Sequence, residues 1–246
     1  MIVLLLYSRE LKLKYGIMDI LMQSVRIEIN EKLYLKDPES SSLGKKIVEE
    51  SIHMIVELGF DHFTFKKLGA KINSNESSIY RYFENKQKLL LYLAAWYWGW
   101  MEYRMVFATH SISDSKEKLE KAIEVLTQNV EEDNAFSHIN EIVLNQLIIN
   151  EYSNSYLVKE VYKENKGKKD DYFTICKRLV ARLSEMITAV DKKYPYPLSL
   201  ASTIVEGSLH QHFLKEHFPT LTNCNDKINP TDFFTDLIFR TLNQKN

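Results

Sequence analysis

Glycine and proline are scarce in this sequence, and their scarcity argues against folds that need many tight turns. The 246 residues include seven glycines and five prolines, less than half of the usual combined share of about 12%. Neither residue occurs between Trp100 and Lys166. Sandwiches, barrels and doubly wound sheets usually recruit these residues for their frequent turns. The composition therefore favours long helices and predicts an all-α protein.

Cysteine, long apolar runs and net charge are also in short supply. The two cysteines, Cys176 and Cys224, are too few for a disulfide framework and suit a reducing cytosol, so we expect a cytoplasmic protein. No stretch reaches the roughly 18 uncharged apolar residues of a membrane span, and no membrane partner is expected. With 32 basic and 33 acidic residues, the net charge is −1. Any nucleic-acid role must therefore depend on a local patch.

The first 36 residues are predicted to be an extension ahead of the folded protein. The apolar run at 2–7 is short and is followed by charged residues, which argues against a signal peptide. A true start at Met18 or Met22 is the alternative explanation for this segment. Weak alternation of apolar residues over 27–34 favours an extended conformation.

Capping residues and apolar periodicity predict the helices that follow. Asp37 and Pro38 open a first helix over 38–58, which Gly59 ends. Thr64 precedes a short helix at 65–71, a polar turn covers 73–75, and a third helix spans 76–83; Asn85 then opens a long helix at 86–110. Further helices are predicted from Asp114, from Ser137, from Asn154 or Ser155 to near Gly167, over 173–190, over 197–218 and from Pro230.

The two short helices between Thr64 and Phe83 have helix-turn-helix dimensions. If the apolar residues pack inward, one face of the third helix is left free, and it carries Ser77, Ser78, Arg81 and Tyr82. Hydroxyl and guanidinium groups can read base edges in a major groove. Lys66, Lys67 and Lys86 lie near helix N-termini, where they suit phosphates. From Leu43 to Leu90 eight basic residues outnumber six acidic ones, an excess that by itself favours a solvated helical face.

These residues resemble a known DNA-binding domain. The run Ile79-Tyr80-Arg81-Tyr82-Phe83-Glu84-Asn85-Lys86, with Gly59-Phe60 and Thr64 at the right distance before it, is similar to the DNA-binding domain of TetR/AcrR-family transcriptional regulators. The resemblance implies a three-helix head over 37–85 and a larger helical effector-binding and dimerisation domain over 86–246. It also implies the following DNA-contacting residues: Thr64, Lys66, Lys67, Asn75, Glu76, Ser77, Ser78, Tyr80, Arg81, Tyr82 and Lys86.

The same resemblance implies a sequence-specific regulator, more often a repressor, that responds to a small hydrophobic effector and needs no cofactor. It would bind a palindromic operator in double-stranded DNA as a homodimer, with half-sites about one helical turn or slightly more apart. Dimerisation would use the last two long helices. Small residues there either allow close helix approach in a dimer or serve a contact within the chain; they are Ala201, Ser202, Gly207 and Ser208.

The long fourth helix is unusually aromatic, with all three tryptophans at positions 96, 98 and 100. Its plainest interpretation is a connecting helix that is buried on most sides. A sharper hypothesis is that Trp96, Trp100, Tyr103 and Phe107 also line the effector pocket.

Two other classes of protein are weighed against a DNA-binding regulator. A di-iron enzyme needs two Glu-x-x-His motifs, and we find one, at Glu50 and His53. Glu206, His210 and His217 share a helical face and form a conceivable metal site, although surface histidines are the simpler interpretation. No GxSxG, GxGxxG or Walker sequence occurs, so we expect no enzyme and assign no catalytic residue or metal ligand. An interaction protein that has lost DNA binding is disfavoured by the intact run at 77–86.

Overall fold

The computed structural model describes residues 27–131, 138–153 and 174–243. Within these ranges the chain forms helices and short 3-10 turns without any strand, which confirms the all-α prediction. The helices are α1 (Ser42–Leu58), α2 (Phe65–Lys71), α3 (Glu76–Tyr80), α4 (Lys86–Thr109), α5 (Ser115–Thr127), α6 (Glu141–Ser153), α7 (Thr174–Val190), α8 (Pro197–His217) and α9 (Pro230–Asn243).

Side-chain caps fix where the helices of the head begin. Thr64, Asn75 and Asn85 each accept a hydrogen bond from the backbone N–H three residues further on, and Asp114 does the same for α5. Each cap satisfies one of the N–H groups that have no partner within the helix. Gly59 ends α1 with a φ of 75°, a conformation that costs glycine little. The starts predicted from these capping residues are confirmed.

Two helix boundaries in the head and one segment before it differ from the prediction. Residues 38–40 form a separate 3-10 turn, and α1 begins only at Ser42, because Ser41 is extended and caps the helix itself. The third helix ends at Tyr80 instead of residue 83. Residues 31–33 form a 3-10 turn with Asn30 as its cap, so the segment over 27–34 is not a continuous extended strand.

The helices of the body follow the predicted pattern with one later start. α6 begins at Glu141, and the side chain of Asn140 accepts the Val143 N–H at its start. The predicted opening at Ser137 lies outside the described residues, as does the helix predicted from Asn154 or Ser155 to near Gly167.

One hydrophobic core runs from the head into the body. The central helix of this core is α4, in which residues from Leu89 to Met101 are buried without interruption. The helix packs on α5, α6 and α7, while α1 of the head packs on α6. The head therefore rests on the body through both α4 and α6. This confirms the interpretation of the aromatic helix as a connection that is buried on most sides.

None of the helices in the described ranges is long and apolar enough to cross a membrane.

Candidate DNA-binding surface and effector cleft

The turn between α2 and α3 holds the two short helices closely together. Asn73 lies in the left-handed region with a φ of 54°, which asparagine tolerates better than most residues. The carbonyl oxygen of Gly69 accepts a hydrogen bond from Ser74 N at 2.8 Å. A Cβ at position 69 would lie only 2.8 Å from the Ser74 carbonyl oxygen. Glycine therefore allows a closer approach of the turn to α2 than alanine would.

The outer side of α3 presents groups that can bind DNA. Ser77, Tyr80 and Arg81 are exposed, whereas Ile79 is completely buried beneath them. The Tyr80 ring packs edge-on against Phe65 with 5.0 Å between ring centroids, which holds the phenol at the rim of the helix. We call Ser77, Ser78, Tyr80 and Arg81 the recognition face.

The start of α3 is organised around the amide oxygen of Asn75. This oxygen accepts hydrogen bonds from the hydroxyls of Ser77 at 2.8 Å and Ser78 at 2.6 Å, in addition to the Ser78 N–H. The Tyr80 hydroxyl donates to Glu76 at 3.4 Å. Hydroxyls held in this way still have acceptor capacity for a donor group on a base edge.

Tyr82 does not belong to the recognition face, and the prediction that it lies on the free side of the helix is wrong. The residue is 3% exposed. Its hydroxyl lies 2.7 Å from Ser41 Oγ and accepts a hydrogen bond from Lys36 Nζ at 3.3 Å. The bond to Ser41 and the charge of Lys36 hold the pKa of Tyr82 below its usual value in spite of burial. Tyr82 thus ties the segment before α1 to the end of α3.

Lys86 is engaged within the head, and the phosphate contact that the resemblance implies for it stays a prediction. Its ammonium donates to the backbone carbonyl oxygens of Phe60 at 2.8 Å, Asp61 at 3.1 Å and Phe63 at 3.1 Å. It also lies 4.7 Å from the centroid of the Phe60 ring. An ammonium has three N–H donors, and three loop carbonyls face them here. The side chain therefore fixes the loop between α1 and α2.

The other predicted phosphate contacts remain accessible at the start of α2. Thr64, Lys66 and Lys67 are exposed. The Lys67 ammonium donates to the His62 carbonyl oxygen at 2.9 Å, an exposed bond that leaves further donors for a phosphate. These residues flank the recognition face without contributing to it.

A cleft of about 540 Å³ opens between α4 and α7; it is a candidate site for an effector, and we call it the effector cleft. Tyr103, Val106 and Phe107 form its apolar wall together with Ile27. The rings of Tyr103 and Phe107 stack with 6.0 Å between their centroids. Ile27 packs directly on the bare backbone of Gly99, where a Cβ would collide with it.

The polar end of the effector cleft is a carboxylate held by two arginines. Glu102 is 6% exposed; it accepts bonds from Arg178 Nε at 2.7 Å and 2.8 Å and from Arg182 Nε at 2.7 Å. Burial alone would raise the pKa of Glu102, but the hydrogen bonds and charges of the two arginines outweigh it and hold the pKa below its usual value. Both arginine side chains are about half exposed, so the cleft presents guanidinium groups.

Sequence reasoning identified only part of this cleft. Tyr103 and Phe107 line it, but Trp96 and Trp100 do not. The two tryptophans are buried and stack on each other at 6.4 Å in the core, so they do not line this cleft, and their part in an effector pocket stays a prediction. Glu102 and its arginines were missed. The available signal was a lone acid inside an aromatic run, together with two arginines four residues apart on one helix face.

The small residues of α8 serve contacts within the chain. Ala201 and Ser208 are buried, and a Cβ on Gly207 would lie 2.9 Å from the ring of Phe234 in α9. Ala201, Gly207 and Ser208 therefore make contacts within the chain, and a dimer contact of α8 stays a prediction. Ser202 is half-buried.

The conceivable metal site on α8 has no support. Glu206, His210 and His217 are all exposed. Across the described ranges, no three histidine, cysteine, aspartate or glutamate side chains are grouped so that they could hold a metal ion.

A capped helix-turn-helix head precedes a larger helical body, and this arrangement suits a DNA-binding regulator. Residues 47–93 match the family described as bacterial regulatory proteins, tetR family. The fold is similar to that of AibR in complex with isovaleryl coenzyme A and operator DNA, with a TM-score of 0.52 and 14% identity over 79% of this chain and 98% of that one. It is also similar to a tetR-family bacterial regulatory protein from Rhodococcus RHA1, with a TM-score of 0.52 and 12% identity over 82% of this chain and 96% of that one.

No curated protein sequence matches the chain. The family match over residues 47–93 and the similar fold agree with the resemblance that the sequence indicated.

Proposed function

We propose that the protein is a cytoplasmic repressor, without catalytic activity, that binds a palindromic operator as a homodimer. Residues 37–85 form the head that reads DNA, and residues 86–246 form the body that binds the effector and the second protomer. The recognition face, presented on a rigid and capped helix-turn-helix, is the observation that carries this proposal. AibR, whose fold is similar, has been captured together with operator DNA.

The recognition face supplies the base contacts in this proposal. Arg81 takes a guanine through O6 and N7, because its guanidinium matches the two acceptors of that base. The hydroxyls of Ser77 and Ser78 bond to bases or phosphates, and Tyr80 bonds to the backbone. The remaining proposed contacts surround this face: Thr64, Lys66, Lys67, Asn75 and Glu76.

The effector cleft suits a small molecule with an apolar body and a polar group. Its wall of Tyr103, Val106 and Phe107 accepts the apolar part, while Arg178 and Arg182 face the polar group. The cleft lies on the far half of α4, and the near end of α4 begins directly beneath the head at Lys86. An effector that prefers one position of α4 would therefore favour one position of the head.

The outward faces of α8 and α9 are proposed to form the dimer. The apolar side chains Leu198 on α8 and Phe233 on α9 are 58% and 43% exposed, and a second protomer would bury them. A two-fold axis between the protomers places the two recognition faces about 34–36 Å apart, or slightly more, along the DNA.

Binding to the DNA upstream of its own gene tests the proposal. We expect a footprint over an inverted repeat and a stoichiometry of two protomers per site, measured by footprinting and fluorescence anisotropy. Hydrophobic amphiphiles are then screened by tryptophan fluorescence, and those that bind are expected to change operator affinity. Tight binders that leave operator affinity unchanged would rule out induction through the cleft, and binding that is equally strong on all sequences would rule out an operator.

A further inference from the structure

A second cavity lies where the head meets the body. It has a volume of about 400 Å³ and shares no lining residue with the effector cleft. Its walls include Gly59 at the end of α1, Asn150 and Glu151 on α6, and Phe213, His217 and Phe218 at the end of α8. We call it the junction cavity.

Two residues in one wall of the junction cavity, Asn150 and Glu151, carry buried oxygen atoms without donors. Glu151 is 4% exposed, and its Oε1 accepts a hydrogen bond from Phe60 N at 3.3 Å. Glu151 Oε2 and Asn150 Oδ1 are buried and have no hydrogen-bond partner in the part of the chain that the structure describes. Buried polar atoms are rarely left in this state, because each one costs the free energy of its lost hydration.

The nearby ammonium of Lys86, at the start of α4, does not complete this site. The ammonium of Lys86 donates to three loop carbonyls, so its donors are directed at the backbone. Burial raises the pKa of Glu151, and the negative charge of Asp61 adds to this effect. The hydrogen bond from Phe60 N–H and the charge of Lys86 oppose the shift without cancelling it. A positive charge inside the cavity would offset this cost of keeping the carboxylate ionised.

The opposite wall of the junction cavity is aromatic. The Phe213 ring lies 4.7 Å from the ring of His217 and 5.9 Å from that of Phe218, measured between centroids. Aromatic faces attract cations as well as apolar groups. A volume of about 400 Å³ falls in the usual range for small organic ligands, about 300–1,000 Å³, and greatly exceeds what a bare ion needs.

We propose that the junction cavity binds a small organic cation, namely an amine with an apolar body. Its apolar part lies against Phe213 and Phe218. Its ammonium donates hydrogen bonds to Glu151 Oε2 and Asn150 Oδ1 once these side chains turn into the cavity, because both oxygens are closed to solvent without it. A neutral apolar molecule would leave both oxygens unpaired, and an anion would face the carboxylate of Glu151.

This ligand would contact head and body at the same time. Glu151 of α6 also holds the Phe60 N–H at the start of the loop to α2, and Gly59 of the same loop forms part of the cavity wall. The proposal concerns a site separate from the effector cleft, so it stands whether or not that cleft binds an effector.

Isothermal titration calorimetry on the full chain tests the proposal with benzylammonium, 2-phenylethylammonium and 4-phenylbutylammonium as probes. We expect at least one of them to bind at least tenfold more tightly than its neutral alcohol and its carboxylate analogue. Absence of binding by all three up to about 10 mM, or equal affinity for the alcohol, would overturn the proposal.

Two variants locate the binding site. E151Q keeps the shape of the side chain and an acceptor for Phe60 N but removes the charge, and we expect it to lower ammonium affinity at least tenfold. E57Q removes the same charge from an exposed position at the end of α1 and should leave affinity unchanged. An E151Q variant that binds the ammonium probes like the wild type would contradict the assignment. If E151Q does not fold, the comparison of charged with neutral probes on the wild type still tests whether the cavity prefers a cation.

Discussion

Replacing Lys86 with methionine distinguishes a structural role for this lysine from a phosphate contact. The ammonium donates to Phe60 O and Phe63 O in partly buried bonds and to Asp61 O in an exposed one. Hydrogen bonds from a charged donor contribute about 1.5–3 kcal/mol each, and exposed ones much less. Methionine keeps the apolar stem against the Phe60 ring but offers no donor.

We therefore expect K86M to lower the free energy of unfolding by about 3–4 kcal/mol, which is two partly buried bonds at about 1.5–2 kcal/mol each. Urea denaturation followed by circular dichroism measures this change. The salt dependence of operator binding should keep its slope at temperatures where the variant is folded, because the variant neutralises as many phosphates as the wild type.

Lys66 is the matched control, since it is an exposed lysine at the start of α2. K66M should change stability by less than about 0.5 kcal/mol and reduce the salt slope by about 0.9 for each phosphate that the protein no longer neutralises. If K86M behaves like K66M, with unchanged stability and a smaller salt slope, the reasoning about Lys86 is refuted.

The remaining predictions concern three other contacts. E102Q should lower the free energy of unfolding by about 1–3 kcal/mol at pH 7, because Arg178 and Arg182 lose their carboxylate. The pKa of Glu102 in the folded state lies below its unfolded value of about 4.3. The carboxylate therefore stabilises the fold above about pH 4.3, and this stabilisation is lost as the pH falls through the folded-state pKa. Denaturation experiments well below that pKa in which the wild type is still more stable than E102Q would contradict this. G69A should destabilise the head by about 1–3 kcal/mol through overpacking against the α2–α3 turn, and a melting temperature unchanged from the wild type would show that the turn yields freely. Y82F should cost about 1 kcal/mol of stability without altering operator sequence preference, and a changed preference would mean that Tyr82 reads a base after all.

Local signals in the sequence predict much of the head. Thr64, Asn75 and Asn85 cap the helices at the predicted positions because a cap involves residues only three apart. Asp37 and Pro38 show the limit of this approach, since the same signature opens a 3-10 turn here and Ser41 caps the α-helix instead. Competing caps a few residues apart are decided by packing, which the local sequence does not contain.

The contacts that the sequence did not predict at the two candidate sites join distant parts of the chain. Tyr82 is buried by partners at positions 36 and 41, and helical spacing alone placed it on the free face. Lys86 finds its carbonyls in a loop about 25 residues earlier. Glu102 meets its arginines 76 and 80 residues later. Spacing along one helix predicts which side chains share a face, but the partners that cover that face come from the tertiary fold.

The base preference of the R81A variant, determined by selecting bound sequences from a randomised operator library, tests most directly whether the recognition face reads DNA. Arg81 is exposed on that face, and a bidentate contact to guanine contributes about 1–3 kcal/mol of discrimination. We predict that R81A loses preference at one base pair in each half-site and keeps it at the others. A uniform loss of affinity on all sequences, with every base preference retained, would contradict a role for Arg81 in reading the operator.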